Sequence, residues 1–270
     1  MTKKLLITLG DNMTKKLLIT LGDSWTHGVG CYTPEYLERT NNLSIHLSSE
    51  ERKDYDDEIE KMEKQYSWPS ITSRILNYDL KNLGIAGFTN PGIAKTFIND
   101  KYANFRSNYD EVVLVFLLTD PHRFSLYLNT NGNSSILWSV TTRGFTINEE
   151  TGSTGENLYK PPYIPAYIHD LYISHMIPHG AMQETLFSIR AVEYFAKSCG
   201  YKFHWGTAFT PVNEIINKYK IEGCLHPTEF DSFKELIVST HSSKGFSRCS
   251  HPNPLGYDCI SRWMVNKISQ

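Results

Sequence analysis

Four short stretches of this chain carry residue types that can do acyl chemistry, and they lie far apart. Gly22-Asp23-Ser24 follows one apolar run, and Asn82-Leu-Gly-Ile-Ala-Gly87 contains the end of another. Thr119-Asp-Pro-His-Arg123 follows a third, and Cys249-Ser-His251-Pro-Asn253 precedes the last helical segment. A serine hydroxyl is a weak nucleophile until a base takes its proton. Histidine titrates near neutrality and suits that task. The oxyanion that then develops needs N–H donors fixed in advance. A serine at a helix start offers one, and a glycine such as Gly87 at a neighbouring strand end offers another. Each residue also has a plainer use: Ser24 or His251-Pro252 as a helix cap, Gly87 as a tight turn.

These stretches need a scaffold that brings strand ends together. Leu17–Leu21, Leu80–Leu83, Glu111–Leu118 and Tyr201–Ala208 are short apolar runs of the kind that form buried parallel strands. Helical patterns lie between them. The charge-dense segment 33–66 predicts a surface helix. Ser67-Trp-Pro opens a second helix through Leu76. Further helices are expected over about 91–105, over Met182–Cys199 before Gly200, and from Pro254 to the end. Strands alternating with helices predict an α/β fold with a parallel sheet and helices on both faces. In such sheets ligands bind beyond the carboxyl ends of the strands, where all four stretches fall. Residues 125–182, rich in Asn, Thr, Tyr, Gly and Pro, read as an irregular insertion too long for a plain connection.

Composition narrows the function. The 270 residues suffice for one large domain or two small ones, and 40% of them are hydrophobic. A formal charge of -2 points away from nucleic acid and anionic membranes. The five cysteines are scattered without a CxxC pair, which argues against a disulfide framework or a structural zinc. His175 and His179 are four apart, but Pro178 would break the helix that could align them as metal ligands. No run approaches the roughly 18 apolar residues of a membrane span, and the N-terminal apolar stretch is too short for a signal peptide. The expectation is a cytoplasmic protein, in the host cytoplasm if the chain is viral.

In combination, the motifs resemble the SGNH (GDSL-like) hydrolase superfamily. Gly22-Asp23-Ser24-Trp25-Thr26-His27-Gly28 is similar to its first block, Asn82–Asn90 to its second, and His251-Pro-Asn-Pro-Leu-Gly-Tyr257 to its last. The three stand in the family's order and span nearly the whole chain from Met13. The Ser-Trp-Thr, Ser-Trp-Pro and Gly-x-x-Asn elements also resemble members encoded by bacteriophages. The resemblance implies a three-layer α/β/α sandwich, a sheet of about five strands, and ester hydrolysis without metal or cofactor. It assigns Ser24 as nucleophile, His251 as base, and Ser24, Gly87 and Thr119 or Asp120 to the oxyanion. Trp25, His27, Asn90 and Arg123 become candidate substrate contacts. Tyr159, Tyr163, Tyr167 and Tyr172, with Trp138, could stack on a sugar or simply pack the insertion. The implied substrate is a small acyl ester, such as an O-acetyl group on a glycan. Two rivals share the fold: a binding module without catalysis, and an O-acyltransferase with a dry pocket.

The chain departs from the family pattern in two places. Thr119-Asp120 stands where an asparagine is usual. Arg248 and Cys249 stand where an aspartate usually precedes the histidine, and an arginine would repel an imidazolium. The expected unit is a Ser-His dyad or an incomplete triad.

The N-terminus is written twice: MTKKLLITLGD occupies residues 1–11 and 13–23, followed first by Asn12 and then by Ser24. Parallel neighbours need a crossover of a dozen or more residues, and none separates the copies. Residues 1–12 are therefore expected to be dispensable, and residues 13–270 to form one domain.

Overall fold

A computed structural model describes residues 14–33, 36, 49–98, 100–121, 124–130, 134–140, 177–209, 221–225, 230–247 and 250–270. The strands are β1 (Lys16–Gly22), β2 (Asp79–Gly84), β3 (Glu111–Leu118), β4 (Phe124–Thr130), β5 (Ser134–Val140) and β6 (Lys202–Thr207). The helices are α1 (Ser24–His27), α2 (Ser49–Tyr66), α3 (Trp68–Leu76), α4 (Asn90–Phe97), α5 (Ile177–Ser198), α6 (Phe233–His241) and α7 (Pro254–Ile268).

The main sheet has the order β2-β1-β3-β6, and every pairing in it is parallel. Strand alternation sorts its side chains into two layers. Leu17, Ile19, Leu21, Val112, Leu114 and Phe116 join Ile93, Phe97, Ile189 and Val192 of α4 and α5 in one core. Leu18, Val113, Val115 and Leu117 join Trp68, Phe233, Ile260 and Met264 of α3, α6 and α7 in the other. This is the expected α/β/α sandwich. The resemblance implied about five strands, and the described residues form four.

Two expectations are corrected, and one helix is added. The insertion contains an antiparallel hairpin, β4 with β5, rather than only irregular chain. The helix expected over about 91–105 stops at Phe97 and gives way to 3-10 turns at Asp100–Tyr102 and Phe105–Ser107. Helix α6, with its Ser232 cap accepting from the Glu235 N–H, had no sequence expectation. The first copy of the N-terminal repeat lies outside the described residues. The second copy supplies β1, which has β2 on one side and β3 on the other.

The chain leaves β1 toward β2 on one side, then crosses to β3 on the other. The gap between the carboxyl ends of β1 and β3 is the topological switch point, where parallel sheets hold their ligands.

Candidate active site

Ser24 sits directly beyond β1, as the first residue of the one-turn helix α1. The cap of that helix is Asp23, whose carboxylate accepts the Trp25 N–H at 3.0 Å. The Ser24 hydroxyl is thus not engaged in capping. It faces His251, with 2.8 Å between Oγ and Nε2. Ser24 is only 7% exposed.

His251 is delivered by a tight turn before α7. Ser250 has φ of 62°, a left-handed conformation that costs a non-glycine residue roughly 1–2 kcal/mol. The turn is closed by Ser250 N–H to Ser247 O at 3.0 Å and by Ser247 N–H to His251 O at 2.8 Å. The Ser247 hydroxyl also donates to His251 O, at 3.0 Å. Asn253 caps α7 by accepting from the Leu255 and Gly256 N–H groups, so the imidazole is not engaged as a cap. The Tyr257 hydroxyl donates to Val29 O at 2.8 Å, tying α7 to the chain that follows α1. Complete burial holds that phenol well above its ordinary pKa, which keeps the donor protonated. Arg248 and Cys249 lie outside the described residues.

Between β1 and β3 runs a buried polar chain. The Thr119 hydroxyl donates to the second Asp23 oxygen at 2.6 Å. Thr119 N–H donates to Asn90 Oδ1 at 2.9 Å, while Asn90 Nδ2 donates to Thr119 O and to Thr185 Oγ1, both at 3.2 Å. Both hydrogens of Thr119, the residue expected to donate to an oxyanion, are therefore committed within the protein. Neither the Ser24 N–H nor the Gly87 N–H meets an acceptor among the described residues. Gly87 holds a φ of 79°, in the left-handed region that glycine reaches without a Cβ penalty. Asp120 is half-buried just beyond β3.

Two of the expected substrate contacts are buried and partnered within the protein. Trp25 is 1% exposed and packs edge-on against Phe209, with ring centroids 4.6 Å apart. One residue along a helix is a rotation of about 100°, so the step that turns Ser24 toward His251 turns Trp25 into the core. Asn90 is buried, and its amide is consumed by Thr119 and Thr185. His27 is exposed. Its Nδ1 is 3.2 Å from Gly84 O, and its Nε2 is 3.3 Å from the Glu63 carboxylate. Burial raises the Glu63 carboxyl above its ordinary pKa, against the opposing pull of His27. Arg123 and His175 lie outside the described residues, as do the side chains of His179 and Trp138 and the four insertion tyrosines. Pro178 does not break the helix, since it and His179 lie in the first turn of α5.

Sequence reasoning missed Asp23, Asn82 and Glu63. Asp23 had a signal, because a carboxylate just before a helix start is a strong N-cap. Glu63 had none, since its partner lies on a different element.

No family model matches the chain, and no curated protein does. Solved structures do match it at low identity. One is a member of the lipolytic protein G-D-S-L family from Veillonella parvula, with TM-score 0.41, 10% identity, and 95% of this chain and 100% of that chain covered. A lipase from a goat rumen metagenome gives TM-score 0.44, 11% identity, 94% and 97%. A family two carbohydrate esterase from Clostridium thermocellum, solved with cellohexaose, gives TM-score 0.44, 11% identity, 95% and 64%, so this chain spans about two thirds of its length. The solved chains that this protein resembles are thus G-D-S-L lipolytic proteins, lipases and carbohydrate esterases.

Proposed function

We propose that the protein is a serine ester hydrolase of the SGNH type. The observation that carries this reading is the 2.8 Å contact between Ser24 Oγ and His251 Nε2, made while Asp23 and Asn253 do the capping that either residue could otherwise have been there to do. Ser24 Oγ attacks the acyl carbon as its proton passes to His251 Nε2. The negative charge on the former carbonyl oxygen is met by the N–H groups of Ser24 and Gly87. The C–O bond to the alcohol then breaks, and His251 gives its proton to the leaving oxygen. Water attacks the acyl-serine with His251 again as base, releasing the acid and restoring Ser24. No step calls for a metal or cofactor. The substrate we propose is a small acyl ester, with an O-acetyl group on a carbohydrate as the first form to assay.

The test is covalent labelling with a fluorophosphonate, together with hydrolysis of short-chain aryl esters and acetylated oligosaccharides. Labelling at Ser24 and turnover support the reading. The absence of both labelling and turnover would sink it and favour the binding module, which the commitment of both Thr119 donors also suits. Acyl transfer to an added alcohol in preference to water would favour the acyltransferase.

A further inference from the structure

The helix that carries Ser24 is a single turn, too short to hold itself in place. What fastens it is a seat built from β1 and β2. Gly22 and Gly84 are register partners at the carboxyl ends of these strands. A Cβ on Gly22 would fall 2.0 Å from Thr26 Oγ1, and one on Gly84 would fall 2.4 Å from the backbone N of His27. The two glycines thus clear a step on which α1 lies directly against the strands. The ladder continues past them, with Ile85 N–H donating to Gly22 O at 3.0 Å, into the loop that bears Gly87.

One side chain joins all the parts. Asn82 Oδ1 accepts from Thr20 Oγ1 on β1 and from Gly84 N–H on β2, each at 3.0 Å. Its Nδ2 donates to Thr26 O at 2.9 Å and to His27 O at 3.5 Å, both carbonyls at the end of α1. A primary amide has two donors and one acceptor oxygen with two lone pairs. All of that capacity is spent here, on three elements. On the opposite side of the same joint, His27 Nδ1 meets Gly84 O at 3.2 Å.

Resting on the proposed function, we infer that Asn82 is a positioning residue for the reaction. It fixes the helix of Ser24 against the strand that leads into Gly87, and so sets the spacing between the nucleophile and the second oxyanion donor. It touches neither substrate nor reacting atoms. Its effect is felt as the alignment of the Ser24 and Gly87 N–H groups, a geometry in which a displacement of about 1 Å can cost on the order of 10²-fold in rate.

Two variants test this. Asn82→Ala removes all four bonds. Asn82→Asp keeps the two accepted bonds, from Thr20 and Gly84, but sets a carboxylate against the carbonyls of α1. Steady-state kinetics on an aryl acetate, a pH–rate profile and a melting temperature are measured for each. The expected result is a kcat lower by roughly 10-fold or more in both variants, because both lose the hold on α1. KM stays within about twofold, and the acidic limb of the profile, where protonation of the His251 base removes activity, stays in place because His251 is untouched. A kcat equal to wild type, or a rise in KM alone, would overturn the inference. If Asn82→Ala does not fold, Asn82→Asp decides on the same readouts. If the wild-type enzyme neither turns over nor labels, the functional reading fails, and a crystal structure of Asn82→Asp decides on positioning alone. Ser24 Oγ moved away from His251 Nε2 supports it, and an unchanged contact overturns it.

Discussion

The Thr119 hydroxyl donates to the Asp23 carboxylate across the gap between β3 and β1, at 2.6 Å. Asp23 is fully buried and also accepts the Trp25 N–H, so one carboxylate both caps the helix of Ser24 and joins the two strand ends. Thr119→Val removes a donor from a buried charged acceptor. The expected loss is about 2 kcal/mol of stability. The expected fall in kcat is less than about tenfold, smaller than the 10²–10³ that follows loss of an oxyanion donor. Urea unfolding and aryl-ester kinetics measure both. A large kcat loss at unchanged stability would return Thr119 to the oxyanion role.

Ser24→Ala is expected to abolish aryl-ester hydrolysis while shifting stability by less than about 0.5 kcal/mol, since Asp23 supplies the cap. His251→Ala should match it. The double variant should be no slower than either, because a nucleophile and its base fail as a unit. Losses that multiply would show that the two residues act separately.

Gly30 has a φ of 92°, and a Cβ there would lie 2.7 Å from the His251 Cβ. Gly30→Ala therefore combines left-handed strain of roughly 1–2 kcal/mol with a push on the base. A lower melting temperature and a kcat reduced at least about tenfold are expected. Full activity in a folded variant would mean that the turn carrying His251 yields without cost.

At the opposite end of the sheet, Glu111 pairs with Lys202, Lys16 and Tyr78. The hydrogen bond from Lys202 leads in holding its carboxyl down, at about 2. A depressed carboxylate pKa stabilises the fold above the unfolded value of about 4.3 and loses that contribution as pH falls through the folded value. Glu111→Gln should therefore be less stable than wild type at pH 6, with the gap closing between about pH 4 and pH 2. Unfolding free energies across that range provide the check, and a gap independent of pH would rule out the ion pairs as its source.

Deleting residues 1–12 is expected to leave melting temperature and ester hydrolysis unchanged. The second copy of the repeat is β1, and both of its edges are occupied, by β2 and β3. A clear drop in either measurement would make the first copy a structural arm.

The sequence by itself determined the layers and the order of the motifs. The runs that became β1 and β3 were legible because burial on both faces leaves them continuously apolar, a pattern visible within a few residues. Ser24, Gly87 and His251 could be singled out because Ser24 follows such a strand, Gly87 lies in the turn after β2, and His251 stands in the turn before the last helix. What those motifs touch was decided only in three dimensions. Nothing local tells that Trp25 turns into the core while its neighbour Ser24 turns out, or that Asn90 spends its amide on Thr119 and Thr185. Thr119 read as a donor for substrate because a hydroxyl at a strand end is free until its partner is known, and that partner, Asp23, lies 96 residues away. The seat made by Gly22 and Gly84 was equally hidden. It exists only once two strands align in register, and register is fixed by packing across the whole sheet rather than by either strand alone.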